Sequence, residues 1–278
     1  MVFAERKNHL ELQRIKEVNK VSAIKEQMIK TAGKTGEGVL NKLLGPSAEF
    51  LGKGLANYLK VKLSNSPYWG EETKKEQEDN VKDTMNIFLE NFNKIDDKDK
   101  KELSVNIVAP VIDSLFTYFE EPNYKEMFGK LLASSFDKNK EHQIHPSFVS
   151  IIQQLNSLDA EILVMIKSAN TLPYAKLFEV YEDNSTLSPF APDMFALPGN
   201  ENYSNFDVIA SIDNLERLKL ITVRKDIVCF DEAYEPFKQR DNYKIFEEIA
   251  KKENGHLRMD KYRVELTQLG LNFVSVCC

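Results

Sequence analysis

Cysteine, glycine and long apolar runs are all scarce in this sequence of 278 residues. Its three cysteines form no disulfide framework, which predicts a reducing cytoplasm. No stretch approaches the roughly 20 apolar residues of a membrane-spanning helix, and the first residues are too charged for a secretory signal. Glycine, with 11 residues, is outnumbered by lysine and glutamate, which favour helices. The sequence therefore predicts a helix-rich cytoplasmic protein.

A complete phosphate-binding loop is also missing. Residues 28–38 read MIKTAGKTGEG and contain Gly33, Lys34 and Thr35, which match the end of the motif G-x-x-x-x-G-K-[ST]. The motif needs an earlier glycine so that its backbone N–H groups can surround phosphate, but Met28 occupies that position. A charged run with helical spacing stands where the motif requires a buried strand. We therefore predict no nucleotide binding and no cofactor.

Candidate catalytic and metal-binding residues are few. Glu141, His142 and His145 lie close together, but the cysteines are far away and no further ligand type is nearby in the sequence. Pro146 favours the interpretation that His145 begins a helix. Neither remaining histidine stands beside a serine or cysteine in a recognisable nucleophile motif. We predict that the protein has no metal site and is not an enzyme.

Positive charge is concentrated at the beginning of the chain. Residues 1–62 contain 12 lysines and arginines against 6 acidic residues, which is a net charge of +6. Residues 63–145 and residues 146–278 each carry −6, so the whole chain has a net charge of −6. The basic segment either contacts an acidic partner, such as a membrane surface or nucleic acid, or folds back on the acidic body. The charge pattern leaves both interpretations open.

Residues 36–63 contain an apolar stripe interrupted by glycines. Leucines three or four residues apart make one apolar helix face, while Gly45, Gly52 and Gly54 each cost about 1 kcal/mol of helix stability. Glycines are tolerated where backbones approach closely, which fits core packing as well as contact with a membrane or a second chain. We predict a membrane or partner contact, with core packing as the alternative. Its residues are Leu40, Leu43, Leu44, Leu51, Leu55, Leu59, Lys60 and Lys62.

The rest of the pattern predicts two regions in a mainly α-helical protein. Residues 1–144 show helical spacing and no strand-like alternation, which predicts a helical domain with basic amphipathic N-terminal helices. Residues 145–278 mix helices with strands, which predicts an α+β winged-helix-like domain. Helices are predicted at about 3–31, 71–95, 98–119, 122–138, 146–155, 157–169, 174–182 and 241–253.

A helix followed by a hairpin carries the winged-helix prediction. Residues 205–220 have apolar residues at helical spacing and lead directly into ITV, a charged two-residue turn and IVCF. This order predicts strands near 221–224 and 227–230. The alternating YRVEL predicts a third strand near 262–266, followed by a short apolar helix.

A winged helix raises the question of nucleic-acid binding. Such binding needs lysine or arginine side chains that reach phosphates and base edges. Nearby acidic residues almost balance the basic ones here, in a region of net charge −6, so the pattern favours protein contact. The candidate nucleic-acid contacts are Arg217, Lys219, Arg224 and Lys225.

Four stretches of the sequence resemble one protein family. They are LLGPSAEFLGKGLANYLK (43–60), HPSFVSIIQQLNSLDAEIL (145–163), IDNLERLKLI (212–221) and VELTQLGLNFVSVC (264–277). Together and in this order they resemble the bacterial abortive-infection alpha family. The resemblance implies a helical bacterial protein linked to resistance against bacteriophage, and it implies no catalytic residues.

These observations predict a non-enzymatic phage-defence protein that acts through protein or membrane interaction. Its expected partner is another protein or a second copy of the chain, with a membrane surface as a further candidate. The predicted location is the cytoplasm, with a peripheral position at the inner membrane as the alternative. The alternative function is that of a winged-helix regulator that binds nucleic acid.

Overall fold

The computed structural model describes residues 83–101, 105–115, 122–181, 193–195 and 205–278. These residues form helices and one four-stranded antiparallel sheet. The prediction of a mainly helical protein with a smaller strand content is therefore confirmed. Within these ranges, no helix is long and apolar enough to cross a membrane.

Three helices of the first half each lie within a predicted helix. They are α1, whose described part covers residues 83–92, α2 (Val105–Leu115) and α3 (Pro122–Ser134). Helix α3 approaches α1 closely at Gly129, where an added Cβ would lie 2.7 Å from Cγ2 of Ile87. A small residue at this position lets the two helices pack together.

Side chains accept backbone N–H groups at the beginning of two further helices. They are α4 (Ser147–Ile152) and α5 (Ser157–Ala169), and α5 has the predicted bounds. The His145 ring accepts a hydrogen bond from the backbone N–H two residues later at 3.1 Å, so its predicted place at the start of a helix is confirmed. Asn156 and Asp159 form a reciprocal capping box at the start of α5, which satisfies backbone N–H groups that lack a partner within the helix.

The sheet joins strands that are far apart in the sequence. It contains β1 (Thr171–Tyr181), β2 (Met194–Phe195), β3 (Ile221–Arg224) and β4 (Gly255–Leu266). The strand order is β2-β1-β4-β3, and β1 pairs with β4 along all 11 of its residues. The strands predicted for β3 and for the end of β4 are confirmed, and they pair with each other.

Two local predictions in this region are wrong. A helix is predicted for 174–182, but residues 174–181 lie in β1. Most of β1 is buried, and periodicity alone does not distinguish a buried strand from a helix. A strand is predicted near 227–230, but these residues have no strand structure. Strand β4 pairs with β3 instead, so the predicted wing hairpin is not formed and the winged-helix assignment is not confirmed.

The remaining helices surround the sheet. They are α6 (Asn205–Arg217), α7 (Glu235–Lys238), α8 (Asp241–Lys252) and α9 (Gln268–Cys277). The helix predicted to precede β3 and the one predicted to follow β4 are α6 and α9. The helix predicted at 241–253 is α8. Their positions in the chain are therefore confirmed.

The beginning of α9 is held tightly against the turn that follows α6. In this turn Lys219 has a φ of 60°, which is a left-handed conformation. The Leu220 carbonyl accepts the Thr267 N–H at 3.0 Å, and the Thr267 hydroxyl accepts the Gly270 N–H at 3.0 Å. A Cβ added to Gly270 would lie 1.9 Å from the Leu220 carbonyl oxygen. Only glycine fits this contact without a backbone shift.

One large buried cluster contains residues from both predicted regions. It includes side chains from α1–α6, from α9 and from all four strands. Phe148 of α4, for example, packs edge-to-face on Phe273 of α9 with a ring distance of 5.2 Å. The described packing therefore crosses the predicted domain boundary after residue 144, and the boundary itself stays a prediction. A smaller second cluster contains Ala175, Leu177, Met194, Tyr234, Phe237 and Tyr243.

Candidate functional site

The predicted N-terminal contact lies outside the described residues. The membrane or partner contact of the apolar stripe therefore stays a prediction, and so does the absence of nucleotide binding at Gly33. The residues concerned are Leu40, Leu43, Leu44, Leu51, Leu55, Leu59, Lys60 and Lys62.

Arg217, one of the candidate nucleic-acid contacts, is engaged by neighbouring side chains. Its guanidinium donates hydrogen bonds to Gln154 at 3.1 Å and to Asn214 at 2.7 Å. Asn214 also donates to the carboxylate of Asp159 at 2.8 Å, and this buried carboxylate caps α5. Arg217 therefore takes part in a polar network that joins α6 to the beginning of α5.

Arg224, a second candidate, is matched by two carboxylates. It donates two hydrogen bonds to Asp226 at 2.6 and 2.8 Å and one to Glu265 at 2.8 Å. Glu265 also accepts a hydrogen bond from Arg263 at 2.6 Å. The bound guanidinium of Arg224 lowers the pKa of Asp226 to about 2. These four side chains carry no net charge.

The two lysine candidates are exposed but differently placed. Lys219 is the left-handed residue of the turn before β3, and its carbonyl accepts a hydrogen bond from the Thr267 hydroxyl. Lys225 follows β3 and directly precedes Asp226. With both arginines bound to protein acceptors, this part of the surface has little free positive charge for a phosphate backbone.

A different group of basic residues lines a cavity of about 360 Å³ at the C-terminal end of α9. Four lysines and one aspartate, Asp137, are the charged residues of its lining, which therefore has a net charge of +3. We call it the lysine cavity. Its lysines are Lys94 after α1, Lys130 in α3, Lys140 in the 3₁₀ helix that follows α3, and Lys167 in α5.

Three of these lysines bind the last carbonyl groups of α9. Lys130, Lys140 and Lys167 donate to carbonyl oxygens of residues 274–278 at 2.6, 2.9 and 3.3 Å, respectively. The buried hydroxyl of Ser134 donates to a fourth carbonyl oxygen at 3.1 Å. Cations are favourable there because the carbonyl dipoles leave a partial negative charge at the end of a helix.

The positive charge of the lysine cavity exceeds what nearby acidic groups balance. Lys130 pairs with Glu126 at 2.8 Å. Within the described part of the chain, Lys94, Lys140 and Lys167 have no carboxylate within 4.0 Å. Burial lowers the pKa of Lys140; the charge of Asp137 opposes this shift, while the charges of Lys167 and Lys130 add smaller reductions. The lysines therefore repel one another in a partly dry site.

A larger cavity of about 610 Å³ adjoins the lysine cavity and shares Lys130 and Cys278 with it. Burial raises the pKa of the Cys278 thiol to about 11 and also raises that of the Cys277 thiol. Both thiols therefore stay protonated at neutral pH and are weak nucleophiles. The apolar residues of this cavity are Met127, Ala160, Val164 and Met165.

A short segment after β3 exposes three large apolar side chains. Residues 227–230, here called the 227–230 segment, contain Ile227, Val228 and Phe230, whose exposed fractions are 40%, 47% and 87%. Single exposed apolar residues are common in proteins, but three within four consecutive residues indicate a contact surface.

The backbone of the 227–230 segment is nevertheless fixed. The Cys229 N–H donates a hydrogen bond to the hydroxyl of Tyr234 at 2.9 Å. That hydroxyl donates in turn to the Tyr262 carbonyl of β4 at 2.6 Å, and the Tyr234 ring is fully buried. The segment therefore presents its apolar side chains from an anchored backbone.

The lysine cavity cannot be recognised from the sequence. Its four lysines lie on four separate segments and have no common spacing, so only the fold brings them together. The 227–230 segment is an apolar run in the sequence, and its place after a charged two-residue turn predicts the second strand of a hairpin. In the structure the segment is unpaired, and β3 pairs with β4 instead.

Comparisons with known proteins identify the family. No curated protein matches the chain. The chain is similar to a solved structure of an uncharacterized protein from the hydrocarbon-degrading marine bacterium Alcanivorax borkumensis SK2. The identity is 10%, the match covers 50% of this chain and 94% of that chain, and the TM-score is 0.32. The family model described as abortive infection alpha matches residues 74–277. The chain therefore belongs to the abortive infection alpha family.

Proposed function

We propose that this protein defends a bacterium against phage without catalysing a reaction, by binding a protein partner through the 227–230 segment. Membership of the abortive infection alpha family suggests the role in phage defence. The observation that carries the proposed mechanism is the exposure of Ile227, Val228 and Phe230 on an anchored backbone. Aromatic side chains contribute strongly to protein interfaces because they bury a large apolar area.

The charges around the segment favour a protein over a membrane. Asp226 and Asp231 flank the segment on its two sides, and Glu232 follows. All three side chains are exposed, against one exposed lysine, Lys225. Asp226 is bound to Arg224, and Asp231 to Lys261 at 2.7 Å, so the border has no excess of the positive charge that anionic lipid surfaces attract. An apolar pocket on a protein partner does not require a basic border.

Two further observations support a binding protein. Two candidates for nucleic-acid contact, Arg217 and Arg224, donate hydrogen bonds to acceptors of the chain itself. The thiols of Cys277 and Cys278 have raised pKa values, which disfavours a role as catalytic nucleophiles. We therefore favour protein binding over the nucleic-acid regulator and over an enzyme.

The test compares two exposed phenylalanines in a phage plating assay. Bacteria that express the wild-type chain are expected to form fewer plaques than empty-vector cells when challenged with a panel of phages. Phe230→Asp is expected to restore plating, because loss of an interface aromatic weakens binding by about thirtyfold or more. Phe206→Asp is the matched control, since Phe206 is 73% exposed on a different element. Thermal unfolding of both purified variants checks that the fold is intact.

Each outcome bears on a different part of the proposal. A wild-type chain that protects against no phage contradicts the defence role. Protection that survives Phe230→Asp contradicts the role of the 227–230 segment. Equal loss of protection in the Phe206→Asp control contradicts a specific contact at Phe230 as well.

A further inference from the structure

We infer that the lysine cavity binds a small anion that carries phosphate groups. This site is separate from the 227–230 segment and goes beyond the proposed function. The inference rests on the convergence of Lys94, Lys130, Lys140 and Lys167 on one cavity, where a net side-chain charge of +2 remains after Asp137 and Glu126, the ion-pair partner of Lys130, are counted.

Capping of α9 does not account for this much positive charge. The carbonyl end of a helix is equivalent to a negative charge of roughly one half. One lysine is enough to balance it, but three lysines donate to the last turn of α9. Lys94 lines the same cavity without touching α9, and its ammonium lies 3.5 Å from the Asn91 side chain. A ligand with two or more negative charges would balance the remainder.

The lysines also keep hydrogen-bond donors for a ligand. Each ammonium group has three N–H donors. Lys167 uses one of them on a carbonyl of α9, while Lys140 uses one on a carbonyl and a weaker one, at 3.3 Å, on Ser134. Phosphate oxygens are strong acceptors, and lysine is a common phosphate ligand because it supplies a compact charge. A dianion or polyanion of phosphate therefore suits the site better than a single carboxylate.

The dimensions of the site fit a small ligand. A volume of about 360 Å³ is many times the roughly 30 Å³ that one water molecule occupies in the liquid, so the cavity has room for an anion of the size of pyrophosphate. The larger cavity adjoins it at Lys130 and Cys278, and its lining of apolar side chains together with Asn123, Glu126 and Glu161 offers space for the uncharged remainder of a bigger molecule. The anion is thus either a free polyphosphate or the phosphate end of a larger metabolite.

Calorimetric titration of the full chain with inorganic pyrophosphate at low ionic strength tests the inference. The wild-type chain is expected to bind. Lys140→Gln is expected to weaken binding by about tenfold or more, because a charged hydrogen bond to the anion is lost. Lys138→Gln is the matched control, since Lys138 lies in the same 3₁₀ helix but is exposed, outside the cavity, and bonded to the Lys98 carbonyl. This control is expected to weaken binding less than about twofold.

A second variant keeps the test decisive if Lys140→Gln fails to fold. Lys94→Gln leaves every contact to α9 in place and is likewise expected to weaken binding, beyond the Lys138→Gln control. Fructose 1,6-bisphosphate provides the second ligand. Tighter binding of pyrophosphate assigns the site to a free polyphosphate, whereas tighter binding of the sugar assigns it to the phosphate end of a larger molecule. Failure of both to bind, or equal weakening by the Lys138→Gln control, overturns the inference.

Discussion

The two ends of helix α9 are held in opposite ways. The beginning of α9 is packed without spare space and carries no net charge. The contact there is formed by the Leu220 carbonyl, the Thr267 cap and the Cα of Gly270. At its end, three lysines hold the last carbonyl groups beside a cavity, and their charge exceeds that of the groups they bind. One end is closed and neutral, while the other is open and basic.

This difference separates a structural contact from a binding site. A close-packed neutral contact has a single arrangement, because replacing any of its residues forces the backbone to move. A surplus of charge beside an open cavity is unfavourable for the fold on its own and becomes favourable when an anion arrives. Stability should therefore depend strongly on the beginning of α9, and ligand response on its end.

The largest effect is expected from Gly270→Ala. The added Cβ would meet the Leu220 carbonyl oxygen at 1.9 Å, and a backbone atom cannot turn aside as a side chain does. We expect the free energy of unfolding to fall by about 3 kcal/mol, measured by urea unfolding followed by circular dichroism. Gly129→Ala is the comparison, because its closest neighbour is a side-chain methyl of Ile87 at 2.7 Å. Equal losses in the two variants would remove the distinction claimed for the beginning of α9.

A smaller effect is expected from Ser134→Ala at the other end of the helix. The Ser134 hydroxyl is buried and donates to the Val276 carbonyl, which loses this partner in the variant. We expect a loss of about 1–2 kcal/mol in the same urea experiment. Ser135→Ala is the control, since Ser135 bonds the Leu132 carbonyl, which also accepts the backbone N–H of Ser135. The idea fails if the control costs as much as Ser134→Ala.

The smallest effect is a dependence of stability on pH at Lys140. Burial lowers the pKa of Lys140 from its ordinary value of 10.5, so the unfolded chain binds this proton more tightly than the folded protein. The charged form therefore disfavours folding, and this penalty disappears as the pH rises through the lowered pKa towards 10.5. Between about pH 7 and pH 10 the wild type should gain about a few tenths of a kcal/mol relative to Lys140→Gln, because solvent screens a half-buried group.

The difference between wild type and Lys140→Gln is the quantity to measure, since other titrating groups cancel in it. Urea unfolding at the two pH values provides the measurement. The prediction is contradicted if the difference in the free energy of unfolding does not change with pH. It is also contradicted if the wild type loses stability relative to Lys140→Gln at high pH.

Local signals in the sequence were enough to locate most helices. Residues 157–169 have apolar positions at helical spacing behind an asparagine cap, and the helix forms with these bounds. Strand β1 could not be identified in the same way, because Tyr174, Leu177 and Phe178 also fit a helix. Its strand conformation depends on pairing with β4, which lies far along the chain. Long-range pairing of this kind leaves no local trace.

Three of the four stretches that resemble the family lie among the described residues, and these three meet at contacts between elements. Stretches 212–221 and 264–277 meet where Leu220 accepts the Thr267 N–H, and stretches 145–163 and 212–221 meet where Asn214 binds Asp159. Residue patterns of this kind identify the fold, because they are needed to join its helices. All four lysines of the lysine cavity lie outside these stretches, Lys167 only just past the end of one, so the family resemblance does not indicate the cavity.

The position of β4 has a consequence for the synthesis of the chain. This strand lies between β1 and β3, yet 73 residues, 182–254, separate it from the end of β1. A ribosome that adds 5–20 residues per second needs about 4–15 s for this distance. During that time β1, most of which is buried in the finished sheet, has been synthesised but its main neighbour has not. The nascent chain is therefore most exposed to aggregation, and most accessible to a chaperone, before residue 255 has been added.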